Sequence, residues 1–492
     1  MFAQIDISGR EKVRQLDQAK RSDLGQFFTP FKIARFMASL FPEHGQQNIR
    51  LLDAGAGVGS LTVAFLEKFG KHPRRQIDLL AYELDRSVSA ALQANLAEYA
   101  ALLAETGIQV LSEVIEGDFI QEGVVSYMFG RHKPADFAIL NPPYRKINTD
   151  SQQRRLLSKA GIETVNLYSG FVALAILHLK DKGELVAIIP RSFCNGPYYR
   201  PFREFLLNHV SMRQIHIFGA RNKAFKEDGV LQENVIIHLV KNAPQGEVKI
   251  SSSSDDSFQD YTEFTLPFGK IVFDTDPEKF IHIPTSENGH NLTHSEHFTY
   301  SLTDIGVEVS TGPVVDFRVK DFLQKEPVGG AAPLIYPAHF GDKHLNWPKA
   351  NFKKWNALLL VPETEKQFFP AGCYTLVRRF SAKEEKRRLV ARIVTPADLP
   401  GGYFGFENHL NIFHQGKKGL PEELALGLAV YLNSTLVDEY FRQFNGHTQV
   451  NATDLRLLKY PSREVLTELG LWGTSISNFD QALIDKKIAS FL

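Results

Sequence analysis

From residue 48 to residue 245 the chain alternates short apolar runs with longer stretches of helical spacing. The runs cover 48–53, 76–83, 109–114, 136–140, 184–189, 214–218 and 235–240, and they are rich in β-branched residues or leucine. Between the second and third, Arg86 to Glu105 is alanine- and leucine-rich with the spacing of an amphipathic helix. Strands that alternate with helices predict a mostly parallel sheet covered on both faces, here an α/β, seven-stranded, Rossmann-like unit.

Residues 251–257, SSSSDDS, read as an exposed loop or linker. Beyond them the pattern changes to short mixed strands with many Phe, His, Pro and Gly, and one helix is expected over Pro421 to Phe441. Pro421, Glu422 and Glu423 give that helix a first turn suited to its dipole. Two regions are therefore expected, 1–250 as a doubly wound α/β domain and 251–492 as a mixed α+β domain.

Composition narrows the function only by exclusion. Apolar residues make up 43% and charged residues 23% of the 492, which excludes an extensively disordered or collagenous chain. Lysine plus arginine and aspartate plus glutamate both count 56, so a polyanionic partner is not announced by net charge and would need cations gathered in one place. The two cysteines, Cys194 and Cys373, lack any CxxC or Cys/His ligand spacing, so neither a disulfide framework nor a metal site is expected. No secretory leader is apparent, and no apolar run reaches the roughly 18 residues of a membrane span. A cytoplasmic protein without a membrane partner is expected.

Candidate chemistry gathers at the predicted strand ends. Arg50 to Thr62, RLLDAGAGVGSLT, is a strand ending in an acid that turns through Gly55, Gly57 and Gly59 into a helix. Glycines there let the backbone turn tightly and approach a ligand at the carboxyl edge of the first strand. Asp53 ahead of them suits an ammonium group better than a pyrophosphate. Glu83 ends the second run, where an acid accepts from ribose hydroxyls, and Asp118 after the third is placed to accept from an adenine amino group, with Phe119 against the ring. Each has a plain structural alternative, and the three acids together point to a nucleoside carrying an amine.

The strongest signal is Asn141-Pro142-Pro143-Tyr144, directly after the run Phe137 to Leu140. The Asn141 side-chain oxygen and the Pro142 carbonyl can accept from one planar NH2, while Tyr144 offers a face on which a base stacks. Two acceptors suit methylation of an exocyclic amine whose lone pair is delocalised, by placement and electrostatics and without a catalytic histidine or cysteine.

Leu24-Gly25-Gln26-Phe27-Phe28-Thr29-Pro30, Asp53 to Gly59, Glu83, Asp118-Phe119 and Asn141 to Tyr144 resemble, in order, the motifs of adenine-N6 DNA methyltransferases of the gamma arrangement. Thr311 to Arg318, Leu376 to Phe380 and Tyr440 to Arg456 look like those of the modification methylases related to the PstI and BsuBI systems. The resemblance implies a site-specific DNA methyltransferase of a restriction-modification system, dependent on S-adenosylmethionine and followed by a C-terminal target-recognition domain. It places Phe27, Thr29 and Pro30 over the methionine part of the cofactor, Asp53 at its amino group, Glu83 at the ribose and Asp118 at the adenine. It assigns Asn141, Pro142 and Tyr144 to the flipped target adenine, with Asn141 also bordering the cofactor, Phe225 as the second aromatic wall and Phe218 as the alternative. It also points to double-stranded DNA as the partner, a palindromic hexamer such as CTGCAG as the site and a separate cognate endonuclease; a monomer is expected, since one can methylate the two strands of a palindrome in separate events.

In the C-terminal half, Arg378 and Arg379 precede an aromatic residue in a strand-like run and are candidates for DNA contact. The following Lys383 to Arg388 read equally well as a solvated face. In Phe444 to Thr453, FNGHTQVNAT, the side chains of His447, Gln449 and Asn451 are placed to read base edges, although Asn451 can equally cap the next helix. Two other readings use the same tetrapeptide: methylation of a protein glutamine amide, and a catalytically inactive DNA-binding protein on a methylase fold.

Overall fold

In a computed structural model, residues 29–43, 45–71, 75–219, 233–284, 298–382, 384–446 and 448–491 are described. The chain divides into two compact units, Met1–Glu287 and Asn288–Leu492.

The first unit is built on one sheet. Its strands are β1 (Asn48–Ala54), β2 (Gln76–Glu83), β3 (Gln109–Glu116), β4 (Ala135–Leu140), β5 (Leu179–Pro190), β6 (Val210–Phe218), β7 (Asn234–Lys241), β8 (Glu247–Ser253) and β9 (Thr262–Pro267). Their order is β3-β2-β1-β4-β5-β7-β6-β8-β9. The five strands from β3 to β5 run parallel, and β7 enters antiparallel to both β5 and β6. All seven expected strands and the helix Arg86–Glu105 are present.

Burial explains why the central strands carry no polar alternation. In β4 all six residues are buried. Ala138 and Leu140 enter one apolar layer with the helix Leu167–His178, while Phe137 and Ile139 enter the other with the helices Phe31–Ser39 and Ser60–Phe69. A strand covered on both faces reads as a continuous apolar run. β1 lies between β2 and β4, so the strand order reverses beside it and opens a crevice at the carboxyl ends, where such sheets bind ligands.

The sheet has nine strands rather than seven, and the expected boundary between 250 and 251 falls inside β8. Ser251 to Ser253 are strand, not linker: β8 pairs parallel with β6 and antiparallel with β9. The reason is a buried partner. His216 Nδ1 and Nε2 lie 3.0 and 3.2 Å from the hydroxyls of Ser251 and Ser253, and burial pushes the imidazole down to about 3. Serine alternation along this strand satisfies an interior histidine.

The second unit is mixed α+β, as expected. The strands β10 (Glu308–Thr311), β11 (Leu323–Gln324), β12 (Ala331–Ile335), β13 (Ala357–Leu359), β14 (Phe368–Pro370), β15 (Tyr374–Arg378), β16 (Ala391–Val394), β17 (Tyr403–Phe406) and β18 (Leu410–His414) form two sheets, β10-β18-β15-β16 and β11-β13-β12-β17-β14. The single helix expected over Pro421 to Phe441 is two, Glu422–Leu432 and Thr435–Phe444. Asn433 breaks it by turning its amide onto both backbone groups of Ala391 (2.9 and 3.1 Å), and Ser434 caps the second helix through Val437 N–H.

The helix Glu422–Leu432 packs on the helix Arg463–Thr474 through glycine. A Cβ placed on Gly427 would stand 1.8 Å from the Leu466 carbonyl oxygen, and one on Gly470 would stand 1.7 Å from that of Glu423. The two backbones touch where no side chain fits.

Candidate active site

The turn after β1 forms because three residues adopt φ values of +82° (Gly55), +56° (Gly57) and +92° (Gly59), which side chains disfavour. At Gly59 a Cβ would also stand 2.8 Å from Leu92 Cδ1. The turn is pinned to the neighbouring strand: the N–H groups of Gly55 and Ala56 donate to the Tyr82 carbonyl at 3.0 and 2.9 Å. Gly57 N–H donates to Glu83 Oε2 at 2.9 Å, and Glu83 Oε1 accepts from Asp85 N–H at 2.8 Å. Glu83 is almost fully buried, and burial raises its carboxyl above the usual range.

The tip of β4 is held in the same way by polar contacts. Asn141 Nδ2 donates to the hydroxyl of Thr29 at 2.9 Å, and Asn141 Oδ1 accepts from the Tyr144 hydroxyl at 3.1 Å. That hydroxyl lies equally close to the Ile188 carbonyl on β5. The Tyr144 ring meets Tyr168 edge-on at 6.2 Å, and burial pushes its phenol up. Pro142 is buried, and Pro143 is partly open.

One cavity joins these strand ends. Thr29, Gly55, Gly57, Glu83, Asp118, Phe119 and Asn141 all line it, seven of the residues expected from sequence to meet a cofactor. Phe119 is buried and lies 5.3 Å from Phe171, which also lines the cavity. Asp118 also holds the local backbone. Its Oδ1 accepts from Ile120 N–H and caps the helix Phe119–Met128, leaving Oδ2 at 3.4 Å from Gln153 Nε2. Arg145, Gln153, Leu167 and Phe171 also line the cavity. Sequence reasoning missed them because Gln153 opens a polar helix, QQRRLLSK, that reads as solvated, and Phe171 sits in an apolar helix that reads as core.

Other expectations are displaced. Asp53 is not on the cavity wall: it is wholly buried on β1, where its Oδ2 accepts from the Thr62 hydroxyl at 2.6 Å. Its Oδ1 has no hydrogen-bond partner among the described residues, and burial pushes the carboxyl up to about 7. Pro30 stands at the start of the helix Phe31–Ser39 and also lies off the wall. Phe218 is buried in the core against His216 and Phe258. Phe27 and Phe225 lie outside the described residues.

A raised acid has a defined sign. The fold favours the neutral Asp53, so this group's contribution to stability falls as pH rises from the ordinary carboxylate value, 3.8, to about 7, and is flat above. Asp53→Asn is therefore expected to gain on the parent between pH 4 and pH 7 and to hold that gain at pH 8. Thermal unfolding of both proteins across this range measures the difference, and parallel curves would show that Asp53 is ionised in the fold.

In the second unit, Arg379 donates to the Asn408 carbonyl at 3.1 Å and to Gln449 Oε1 at 3.3 Å, so two of the expected DNA contacts stand together. Arg378 pairs with Glu385 instead. Asn451 takes the capping alternative, in a reciprocal box with Asp454 ahead of the helix Ala452–Leu457. His447 lies outside the described residues. The run after Arg379 is not simply a solvated face: Arg388 is buried, donating to Asn445 Oδ1 at 2.6 Å with its guanidinium over Phe441.

Sequence comparison is decisive for the family. The chain is 50% identical over 479 residues to the type II methyltransferase M.BsuBI of Bacillus subtilis and 45% identical over 478 residues to M.PstI of Providencia stuartii. Each match covers 96% of this chain and 94% of the relative. The chain belongs to the type II methyltransferases. Residues 95–225 also match the Eco57I restriction-modification methylase family, a span that contains the tetrapeptide. Among solved structures, the DrdV–DNA complex shares the fold at a TM-score of 0.54 and 12% identity, covering 96% of this chain and 59% of that one. The resemblance to the modification methylases related to the PstI and BsuBI systems thus holds.

Proposed function

We propose that this chain methylates the N6 amino group of an adenine flipped from duplex DNA, with S-adenosylmethionine as donor, and so protects its site from a separate restriction endonuclease. The observation that carries the reading is Asn141 on the wall of the cavity that Glu83 and Asp118 also reach.

The residues present fit the donor. Gly55 and Gly57 leave the first turn bare for close approach, and Glu83 keeps a carboxyl group at the tip of β2 suited to ribose hydroxyls. Asp118 and Phe119 bring an acceptor and a flat ring to one wall. Behind the turn, the open Oδ1 of Asp53 is a buried acceptor suited to the field of an ammonium group. When bound, S-adenosylmethionine supplies the methyl group as an electrophilic sulfonium substituent.

The chain's own part is to place and polarise the amine. Asn141 Oδ1 and the Pro142 carbonyl accept from one NH2, which draws the nitrogen lone pair out of conjugation; the nitrogen gains a methyl group and releases a proton to solvent. Asn141 Oδ1 also accepts from Tyr144, and an amide oxygen can accept two hydrogen bonds. The Tyr144 ring, tethered by its hydroxyl to Asn141 and Ile188, is a fixed surface for stacking. An amine paired inside a duplex cannot reach such a cavity, which is why the base must be extruded. Phe225 is the proposed opposite wall. In this reading a monomer in the cytoplasm modifies the two strands of a palindrome in separate events, with Arg378, Arg379, His447, Gln449 and Asn451 proposed to meet DNA.

Incubation of unmodified genomic DNA with the protein and S-adenosylmethionine, followed by base-resolved mapping, tests the reading. N6-methyladenine at one short recurring sequence, such as CTGCAG, is expected. Methylcytosine, or a methylated protein glutamine with untouched DNA, overturns it. Tyr144→Ala is expected to lower the methylation rate more than it lowers affinity for S-adenosylmethionine; the reverse order in titration and single-turnover assays removes Tyr144 from its stacking role.

A further inference from the structure

A second polar constellation lies at one end of the sheet β10-β18-β15-β16. Between β17 and β18, the His409 side chain is 45% exposed, and its Nδ1 meets Oε1 of Glu407, a carboxylate 2% exposed. The other oxygen of Glu407 accepts from His409 N–H at 2.9 Å. Because a carboxylate only accepts, Nδ1 carries a hydrogen, and Nε2 has no partner among the described residues. Phe380, 41% exposed, lies against the imidazole at 4.8 Å. The backbone of Phe380 pairs with that of Gln449, whose Oε1 accepts from Arg379 and whose side-chain amino group has no partner among the described residues.

These groups are oriented rather than merely charged. A buried carboxylate is costly to the fold unless it is well paired, and here its partner is a surface imidazole. A hydrogen-bonding atom of defined position, backed by an aromatic ring and beside an amide of defined orientation, suits a base edge. We infer that His409, held by Glu407 and backed by Phe380, reads a base pair of the methylation target beside Gln449. This inference rests on the DNA-methylation reading above, and within it Glu407 is a positioning residue.

The experiment compares the parent, His409→Ala, His409→Gln and Glu407→Gln on a pool of duplexes holding the mapped site and every single base-pair change within it, with S-adenosylhomocysteine titration as an independent readout. His409→Ala is expected to lose about 10- to 100-fold in kcat/KM on the mapped site and to tolerate a change at one base pair and its symmetry mate. Cofactor affinity should not move. Glu407→Gln should relax the same position more weakly, and His409→Gln should retain part of the discrimination. Preference unchanged at every position, or equal weakening on all sequences, overturns the role of His409 while leaving the methylation reading standing. A parent that methylates no DNA overturns both.

Discussion

Asn141→Ala is expected to lower methyl transfer about 100- to 1000-fold, the range typical of removing one preorganised polar group from a transition state. The amide does two things at once. Its oxygen is the proposed acceptor for the target amine, and its nitrogen ties the tip of β4 to Thr29 at 2.9 Å. Alanine removes both, and it also takes away an acceptor of the Tyr144 hydroxyl. Asn141→Asp keeps acceptor oxygens of the same shape and replaces the amide donor with a carboxylate to which the Thr29 hydroxyl can donate in turn. An intermediate rate is expected for it. Single-turnover methylation of a duplex carrying the mapped site, beside titration with S-adenosylhomocysteine, measures both effects. If Asn141→Ala loses cofactor affinity but turns over normally once saturated, the residue serves binding and not the amine.

Gly427→Ala is expected to destabilise the second unit by about 3 kcal/mol or more, at the upper end of what overpacking costs. The added methyl would stand 1.8 Å from the Leu466 oxygen, which is backbone and cannot rotate aside. Relief requires the helices Glu422–Leu432 and Arg463–Thr474 to separate, and that opens the apolar layer on both. Gly470→Ala meets Glu423 from the other side and should behave alike. Gly402→Ala is the control: it has nothing within 4 Å and no left-handed backbone, so a change within about 0.5 kcal/mol is expected. Urea unfolding followed in all three proteins measures the contrast. Equal stabilities would mean that the two helices are not in backbone contact in solution.

The two predictions differ in how far sequence reaches them. Asn141 stands out in a linear reading because its chemistry lies in four consecutive residues after an apolar run. Gly427 does not, because nothing in EELALGLAVYL distinguishes a glycine pressed against a carbonyl from one that merely weakens a helix. The partner, Leu466, is 39 residues away. The same contrast separates Glu83 from Asp53. Both are acids at strand ends, and the sequence gives them similar roles, but only Glu83 reaches the cavity; Asp53 is turned inward and accepts from Thr62. Strand periodicity tells which face a residue takes without telling what has been laid over that face.

His409 escapes a linear reading for a related reason. A lone histidine after an acid two residues earlier carries no motif, and its significance comes from Phe380, Arg379 and Gln449 arriving from separate segments. Ser251 and Ser253 read as linker because a run of hydroxyls looks solvated, whereas an interior histidine on β6 uses them.

By itself, then, the sequence determined the first seven strands of the first unit, the helix Arg86–Glu105, the glycine turn after β1 and the tetrapeptide after β4, because each depends on residues near one another in the chain. The tertiary structure alone decided that the sheet continues through β9, that Arg388 is buried while His409 faces outward, and that two helices meet glycine to backbone. Those outcomes depend on contacts between residues distant in sequence. Local propensity does not encode such contacts; packing does.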